Sequence, residues 1–387
     1  MGNFIIIIFT LVILFGLLYQ ILSVIIFKNK FDKRNDIRIK GKKSYPFISI
    51  LKPIKGIDDQ LRDNLISFFK LDYPDYEIIF GLHSYSDPAL EIIRKLMKLF
   101  PSVKVKIIIN SFRIGLNPKI NNLYNMYPSA GGTLIFISDS NTSVEPNFLK
   151  LLENEFEDKK IGLVTATIRG IGAKNISSLM ENLHLNAFLS PSVFVASRIA
   201  KISIVIGKAI LIPKYLLEKI GGFEAFKNYL AEDYMMGIKV MEMGYKIRTA
   251  PVLVNNINEK WTLKKFLNRH SRWAKMRAKI KITTYLLESL SNPISTSFIL
   301  AFILHNELGI IQFIIISIVK SLIDSISLSL IKSDIKRYQL IVIPIKDLII
   351  GLLWYIPFIN SRISWRNNHF TIQKGSLLQP FSTNLNI

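Results

Sequence analysis

The chain has 387 residues and a mass of 44.3 kDa. It is half hydrophobic by count, and 50 Lys and Arg against 28 Asp and Glu give a formal net charge of +22 at a mean hydropathy of +0.31. So apolar a chain is not a disordered basic tail, and it is unlike a soluble nucleic-acid binder; the charge points to a membrane surface. Cys is absent, which excludes disulfides, thiolate metal sites and thiol nucleophiles, and the five His show no zinc-hydrolase spacing.

Phe4 to Phe27 are 24 consecutive uncharged residues, about 36 Å of helix against a hydrocarbon layer of about 30 Å. The stretch has no basic residue before it and no small-residue cleavage site after it, so it reads as an uncleaved anchor, residues 1–27, rather than a signal peptide. Residues 28–45 form a basic linker, with a net charge of +6 between Lys28 and Lys43. The positive-inside rule puts that side in the cytoplasm, where the linker can also meet anionic head groups.

Residues 46–282 change character to short β-branched runs alternating with amphipathic helices. Strands are expected at Phe47–Leu51, Glu77–Leu82, Val103–Ile109, Leu134–Ser138, Gly162–Thr167 and Ser203–Ile212. Helices are expected at Asp59–Lys70, Pro88–Phe100, Lys119–Met126, Pro146–Phe156, Asn175–Leu189 and Asp233–Met243. This alternation predicts an α/β domain with a mainly parallel, Rossmann-like sheet, whose ligands bind beyond the C-terminal strand ends. Neither G-x-G-x-x-G nor a Walker A string is present, which disfavours a dehydrogenase or a P-loop ATPase.

Acidic residues stand near strand ends instead: Asp87 after the second strand, Asp139 directly after the fourth, and Asp233 at a helix start. Each alone could be a cap or a turn residue. Together they suit a hard divalent cation, which takes one or two carboxylates plus phosphate oxygens, and a separate general base.

From about Trp261 to Ile282 a helix carries nine basic residues between 260 and 281 beside an apolar stripe of Leu263, Phe266, Leu267, Trp273 and Ile280. Arg269 and Arg272 share one face, suited either to anionic lipid or to a diphosphate leaving group. Residues 283–360 then read as two or three membrane helices, at about 284–304, 308–330 and 339–359, before a tail, 361–387. Lys346 and Asp347 fall in the middle of the last segment, an expensive placement that suggests a re-entrant or interfacial piece.

With these strings on the page, the chain resembles the ceramide glucosyltransferase family, membrane-bound GT-A glycosyltransferases with D, D, D and (Q/R)xxRW motifs. The matching strings are Leu51-Lys52-Pro53-Ile54-Lys55-Gly56, Ser86-Asp87-Pro88, Asn117-Pro118-Lys119-Ile120-Asn121-Asn122, Asp139-Ser140, Ala231-Glu232-Asp233-Tyr234, Arg269-His270-Ser271-Arg272-Trp273 and Ser364-Trp365-Arg366. The resemblance implies a GT-A catalytic domain at 46–282 flanked by transmembrane helices. It also implies an inverting transfer of a sugar, glucose first, from a UDP-sugar to the hydroxyl of a membrane lipid such as ceramide.

By that resemblance Asp87 contacts the nucleotide, Asp139 binds Mg²⁺ or Mn²⁺, and Asp233 is the base. Lys52, Pro53, Lys119 and Asn122 line the donor pocket, and Arg269, Arg272 and Trp273 close over diphosphate and acceptor. The implied partners are the UDP-sugar, the lipid acceptor and the bilayer, with no nucleic acid. The chain departs from the usual pattern in reading Asp139-Ser140-Asn141 rather than Asp-x-Asp, and in lacking a carboxylate just before Asp87. The alternatives are N-acetylglucosamine transfer to a hopanoid-type lipid, a processive polysaccharide synthase, and a non-catalytic basic membrane adaptor.

Overall fold

The computed structural model describes residues 2–32, 44–199, 204–365 and 368–381. Residues 33–43, most of the basic linker, and Arg366 of the terminal Trp-Arg string lie outside the described residues. The chain divides into two compact units. One, the sheet unit, comprises Lys30–Gly170 and Ala196–Asn258; the other, the helical unit, comprises Met1–Asn29, Ile171–Val195 and Glu259–Ile387.

The sheet unit is built on β1 (Ile48–Pro53), β2 (Tyr76–Leu82), β3 (Lys104–Ile109), β4 (Leu134–Ile137), β5 (Thr142–Ser143), β6 (Ile161–Ile171), β7 (Ile210–Pro213) and β8 (Lys246–Ile257). They form one eight-stranded sheet in the order β3-β2-β1-β4-β7-β6-β8-β5. β1 pairs in parallel with β2 and with β4, and β2 with β3. β7 joins β4 antiparallel, with β6 antiparallel to β7 and β5 to β8. The α/β class expected from the alternation is therefore present, and its parallel register covers β1 to β4.

The reason is visible strand by strand. All six residues of β1 are buried, as a strand covered by helices on both faces requires. β3, at the sheet edge, alternates instead and exposes Lys104 and Lys106. These pair with Asp75 at 2.8 Å and Glu77 at 2.7 Å, and the charges discourage edge-to-edge association. One core cluster joins Leu51, Ile79, Ile135, Ile137, Ile210 and Ile212 of the strands to Ile120, Leu123 and Met126 of the Pro118–Met126 helix. That helix starts where expected, because Asn117 accepts hydrogen bonds from the Lys119 and Ile120 amides and Pro118 takes the first position.

Two expectations need correction. The run Ser203–Ile212 is a strand only from Ile210, and Ser203 lies outside the described residues. β8 was not expected; it runs for 12 residues with Pro251 inside it.

In the helical unit, Phe4–Asp32, Glu307–Leu330 and Arg337–Ile359 are long and apolar enough to cross a membrane. The expected single segment at 284–304 is instead two helices, Ile282–Ser291 and Pro293–Leu304, bent by 70°. Asn292 and Pro293 account for the break: proline cannot continue the helix before it, and the Asn292 side chain caps the next one by accepting from the Ser295 amide. Lys346 and Asp347 are buried inside the protein rather than facing lipid. The tail adds a three-stranded antiparallel sheet of β9 (Arg362–Trp365), β10 (Asn368–Ile372) and β11 (Leu378–Pro380).

Candidate active site

Parallel pairing puts the C-terminal ends of β2, β1 and β4 at one rim, and antiparallel β7 brings its own beginning there. Asp139 follows β4, and Gly207 and Lys208 precede β7. Asp233 opens the Glu232–Glu242 helix.

These groups meet through two ammonium ions. Lys119 Nζ lies 3.0 Å from Asp139 Oδ1 and 3.2 Å from Glu232 Oε1, and donates to the Gly207 carbonyl at 2.8 Å. Lys208 Nζ donates to Asp139 Oδ2 at 3.0 Å and to Asn141 Oδ1 at 2.7 Å. Asp233 Oδ2 accepts the Gly207 amide at 2.9 Å and Oδ1 accepts its neighbour Tyr234's amide at 2.8 Å. Asp139, Lys119, Gly207 and Asp233 thus form one hydrogen-bonded chain at the rim.

The environment separates the two carboxylates. Burial alone would raise the Asp139 carboxyl, but Lys119 and Lys208 override it and hold the group well below the usual carboxylate range. Burial pushes the Asp233 carboxyl up, and Glu232 beside it pushes in the same direction; against the partial offset of Lys119 it stands at about 7. Burial works against the Lys119 ammonium, yet Asp139, Glu232 and Asp233 together raise it. The arrangement thus supplies a permanently ionised carboxylate suited to cations and a second one poised to exchange a proton near neutrality.

The residues also fit a divalent cation by their donor chemistry. Asp139 and Asn141 both direct a hard oxygen at one cation already, the Lys208 ammonium. Among the described residues no cluster of three His, Asp or Glu could hold a metal ion. One carboxylate completed by substrate phosphate oxygens is nevertheless an ordinary Mg²⁺ arrangement.

The other expected donor residues take different positions. Asp87 Oδ1 accepts the Ala89 amide at 3.0 Å, capping the Ala89–Leu99 helix, and Oδ2 accepts the Gly56 amide at 2.9 Å. It thereby fixes the loop after β1, in which Asp58 bonds Ser140 Oγ. Lys52 is completely buried, its ammonium donating to the Asp139 carbonyl at 2.8 Å and lying 3.4 Å from the Phe68 ring centre. It supports the Asp139 turn from beneath instead of lining a pocket, and burial drives its pKa far down. Pro53 ends β1 and is buried, and Asn122, on the Pro118–Met126 helix, ties that helix to β2 by donating from Nδ2 to the Gly81 carbonyl at 2.8 Å.

Lys208 and Glu232 were not singled out from the sequence. Lys208 was hidden inside a strand assigned too long, and Glu232 stood beside a more conspicuous acid.

The Arg269-His270-Ser271-Arg272-Trp273 string lies in the helical unit, on the Leu263–Ile280 helix. The Arg269 guanidinium is 4.2 Å from the Trp273 ring centre and 5.2 Å from that of Trp261, with its Nε 3.2 Å from Glu181 Oε1. Arg272 reaches Trp365 instead, at 5.9 Å. His270 is buried and 2.9 Å from Glu181 Oε2. Burial holds its pKa below the ordinary value despite Glu181, so the neutral ring donates Nε2–H to the carboxylate.

Glu181 is thus the buried anchor of the string. Glu181→Ala is expected to cost about 3–5 kcal/mol, because it strands a largely buried guanidinium. Thermal melting of the detergent-purified protein checks this, and an unchanged midpoint would contradict the anchoring role.

The family model described as Glycosyl transferase family 21 matches residues 8–378. Ceramide glucosyltransferase 3 of Caenorhabditis elegans is 30% identical over 354 residues, 89% of this chain and 76% of that protein. Ceramide glucosyltransferase 1 of the same organism is 30% identical over 275 residues, which span 70% of this chain and 58% of that protein. Among solved structures, a mannosyltransferase from Pyrobaculum calidifontis in complex with GDP-Man and Mn²⁺ aligns with a TM-score of 0.49 at 12% identity, covering 91% of this chain and 98% of that one.

Proposed function

Because the chain belongs to glycosyl transferase family 21, we propose that it moves a sugar, glucose in the first instance, from a UDP-sugar to a ceramide hydroxyl, with inversion to a β-linkage. The observation that carries this reading is the pair of unlike carboxylates on one hydrogen-bonded chain, Asp139 between the Lys119 and Lys208 ammonium groups and Asp233 on the Gly207 amide beside Glu232. The names of the two nematode relatives support the choice of acceptor.

In this mechanism Asp233 accepts the proton of the lipid hydroxyl as that oxygen forms its bond to the anomeric carbon. The bond from the same carbon to the UDP oxygen breaks, and its electron pair leaves with the diphosphate. Lys119 and Lys208 place two positive charges where that negative charge grows. Asp139 and Asn141 would hold Mg²⁺ or Mn²⁺, which when bound neutralises diphosphate charge and orients the leaving group. Asp87 keeps the loop after β1 in place for the nucleotide, and Arg269, Arg272 and Trp273 contribute to diphosphate and acceptor binding. The net charge of +6 between Lys28 and Lys43 supports a cytoplasmic catalytic unit.

Purified full-length protein incubated with UDP-glucose, ceramide and Mg²⁺ should release UDP and form one product, a monoglucosylated lipid. Its anomeric proton should show the large coupling constant of a β-glycoside. An α-linked product would exclude the single displacement. A polymer, or transfer only from UDP-N-acetylglucosamine to a hopanoid-type lipid, would replace this assignment. Absence of UDP release with every donor and lipid would leave the non-catalytic adaptor.

A further inference from the structure

The helical unit contains a chamber of about 460 Å³ that the mechanism above does not use. This lies within the usual range of about 300–1,000 Å³ for small-molecule sites. One wall is the helix of the Arg-x-x-Arg-Trp string, through His270 and Ala274. Opposite elements supply Ser295, Trp354 and, among its charged residues, Lys320 and Asp347.

Three independent features mark the chamber as a binding site rather than a packing defect. First, it lies at the 70° break between Ile282–Ser291 and Pro293–Leu304. Backbone that leaves helical geometry at membrane depth is tolerated where it is buried in protein or lines a cavity, and broken helices of this kind commonly carry a ligand. Second, a wide turn at His184–Leu189, with π-type hydrogen bonding, brings His184 and Phe188 to the same wall. Such turns interrupt helices mostly at functional positions.

Third, charge is buried here at a cost that packing alone does not justify. Lys320 Nζ is 2.5 Å from Asp324 Oδ1 and 3.8 Å from Asp347 Oδ2, and Lys346 Nζ is 2.8 Å from Asp347 Oδ1. Asp347 is 7% exposed, and its Oδ2 has no hydrogen-bond partner. A buried acceptor left in that condition is unfavourable, and a donor from a bound molecule would relieve it.

The chemistry of the occupant follows. The walls are mainly apolar, so a long aliphatic chain fits. Two lysines balance two aspartates, and Arg277 at the wall is paired with Glu288 at 2.8 Å. No surplus positive charge is left for a phosphate. Asp347 Oδ2, 3.8 Å from the Lys320 ammonium and without a hydrogen bond, has room for an O–H or N–H donor.

We infer that this chamber holds the lipid acceptor: a neutral lipid with a long chain and a head of the amide-and-hydroxyl kind, a head-group donor other than the reacting hydroxyl facing Asp347. The inference rests on the transferase reading above and adds to it where the acceptor sits. A phosphatidylcholine offers no head-group donor and is the wrong occupant on these grounds.

The test uses the full chain in lipid nanodiscs and a ceramide carrying a photoactivatable group and an alkyne on its chain. Labelling should map to residues 285–299 and 347–355 and be competed by plain ceramide but not by added phosphatidylcholine. Ala274→Phe and, as a second variant, Thr296→Phe fill the chamber from different walls. Each should lower labelling at least about tenfold and raise the KM for ceramide by the same factor, by loss of roughly 1.4 kcal/mol of binding or more. UDP-glucose binding should stay at the parent value, which also shows that the variants are folded.

Labels falling elsewhere, equal competition by phosphatidylcholine, or folded Phe variants that label like the parent would overturn the inference while glucosyl transfer continued. Ceramide-selective labelling of the chamber in a protein that never binds UDP-glucose would instead refute the transferase reading and leave the lipid site standing.

Discussion

Asp233→Asn should lower kcat for sugar transfer by about 10²–10⁴-fold, the range typical for loss of a general base, with the affinity for UDP-glucose retained. The amide keeps the size of the side chain and can still accept the Gly207 amide through its oxygen, at the loss of the bond from the Tyr234 amide, so the change falls mainly on proton transfer. The parent enzyme should show a matching pH dependence. Below about pH 7 the Asp233 carboxyl is protonated and cannot take the acceptor's proton. The rate should therefore rise with pH through that value and level off above it. Glu232→Gln removes the neighbouring negative charge that helps to raise this group. Its inflection should move to lower pH, while in Asp233→Asn it should vanish.

Stability should move the other way. The Asp233 carboxyl sits above its ordinary 3.8 in the folded protein, so between that value and about 7 the folded state binds the extra proton and stability declines as pH rises. Asp233→Asn should accordingly be no less heat-stable than the parent at pH 8, and more so if the raised value is fully expressed. Such a variant, inactive yet stable, is characteristic of a group kept for chemistry at a structural cost. An inflection near pH 7 that persists in Asp233→Asn would assign the titration, and the role of base, to another group.

How far the sequence predicts this arrangement depends on the distance over which each feature is encoded. β1, β2 and β4 were legible because β-branched runs of four to seven residues bounded by polar turns carry their own signal. The Pro118–Met126 helix announced itself by its cap. Asp139 and Asp233 stood out because acids placed just after a strand and at a helix start are conspicuous in linear order.

Lys208 did not, since its partners lie 67 and 69 positions away and nothing local distinguishes it from other lysines of a Lys-rich chain. Lys52 was misplaced for a related reason: sequence position puts it at the strand end, but only the fold shows Phe68 and Thr142 closing over it. The bend at Asn292-Pro293 was written in the sequence as a cap-and-proline pair. It was overridden by the continuity of the apolar run, which reports on solvent and not on helix geometry.

Asp139→Ala should have the second large effect, and on two quantities at once. The carboxylate is shared by Lys119 and Lys208, whose side chains are 16% and 13% exposed. Removing it leaves two largely buried ammonium groups facing each other without their common counter-ion. Loss of one partner from a buried ion pair costs about 3–5 kcal/mol, and repulsion between the lysines adds to it. Glu232, 3.2 Å from Lys119, compensates part of that loss.

Asp139→Asn keeps the shape and two dipoles, so it should melt between the parent and the alanine variant. For donor binding the order differs. Both variants remove the charge that would hold a cation against the diphosphate. The Mg²⁺-dependent part of UDP-glucose affinity should therefore fall by about 10–100-fold or more in each, since outer-shell changes alone reach that range. Calorimetric titration with UDP-glucose, with and without Mg²⁺, separates the two effects from each other. If Asp139→Asn bound donor as tightly as the parent and melted at the same temperature, the hub of the rim would lie elsewhere. Lys119 and Lys208 would then have to act on the diphosphate without the carboxylate that now sets their positions.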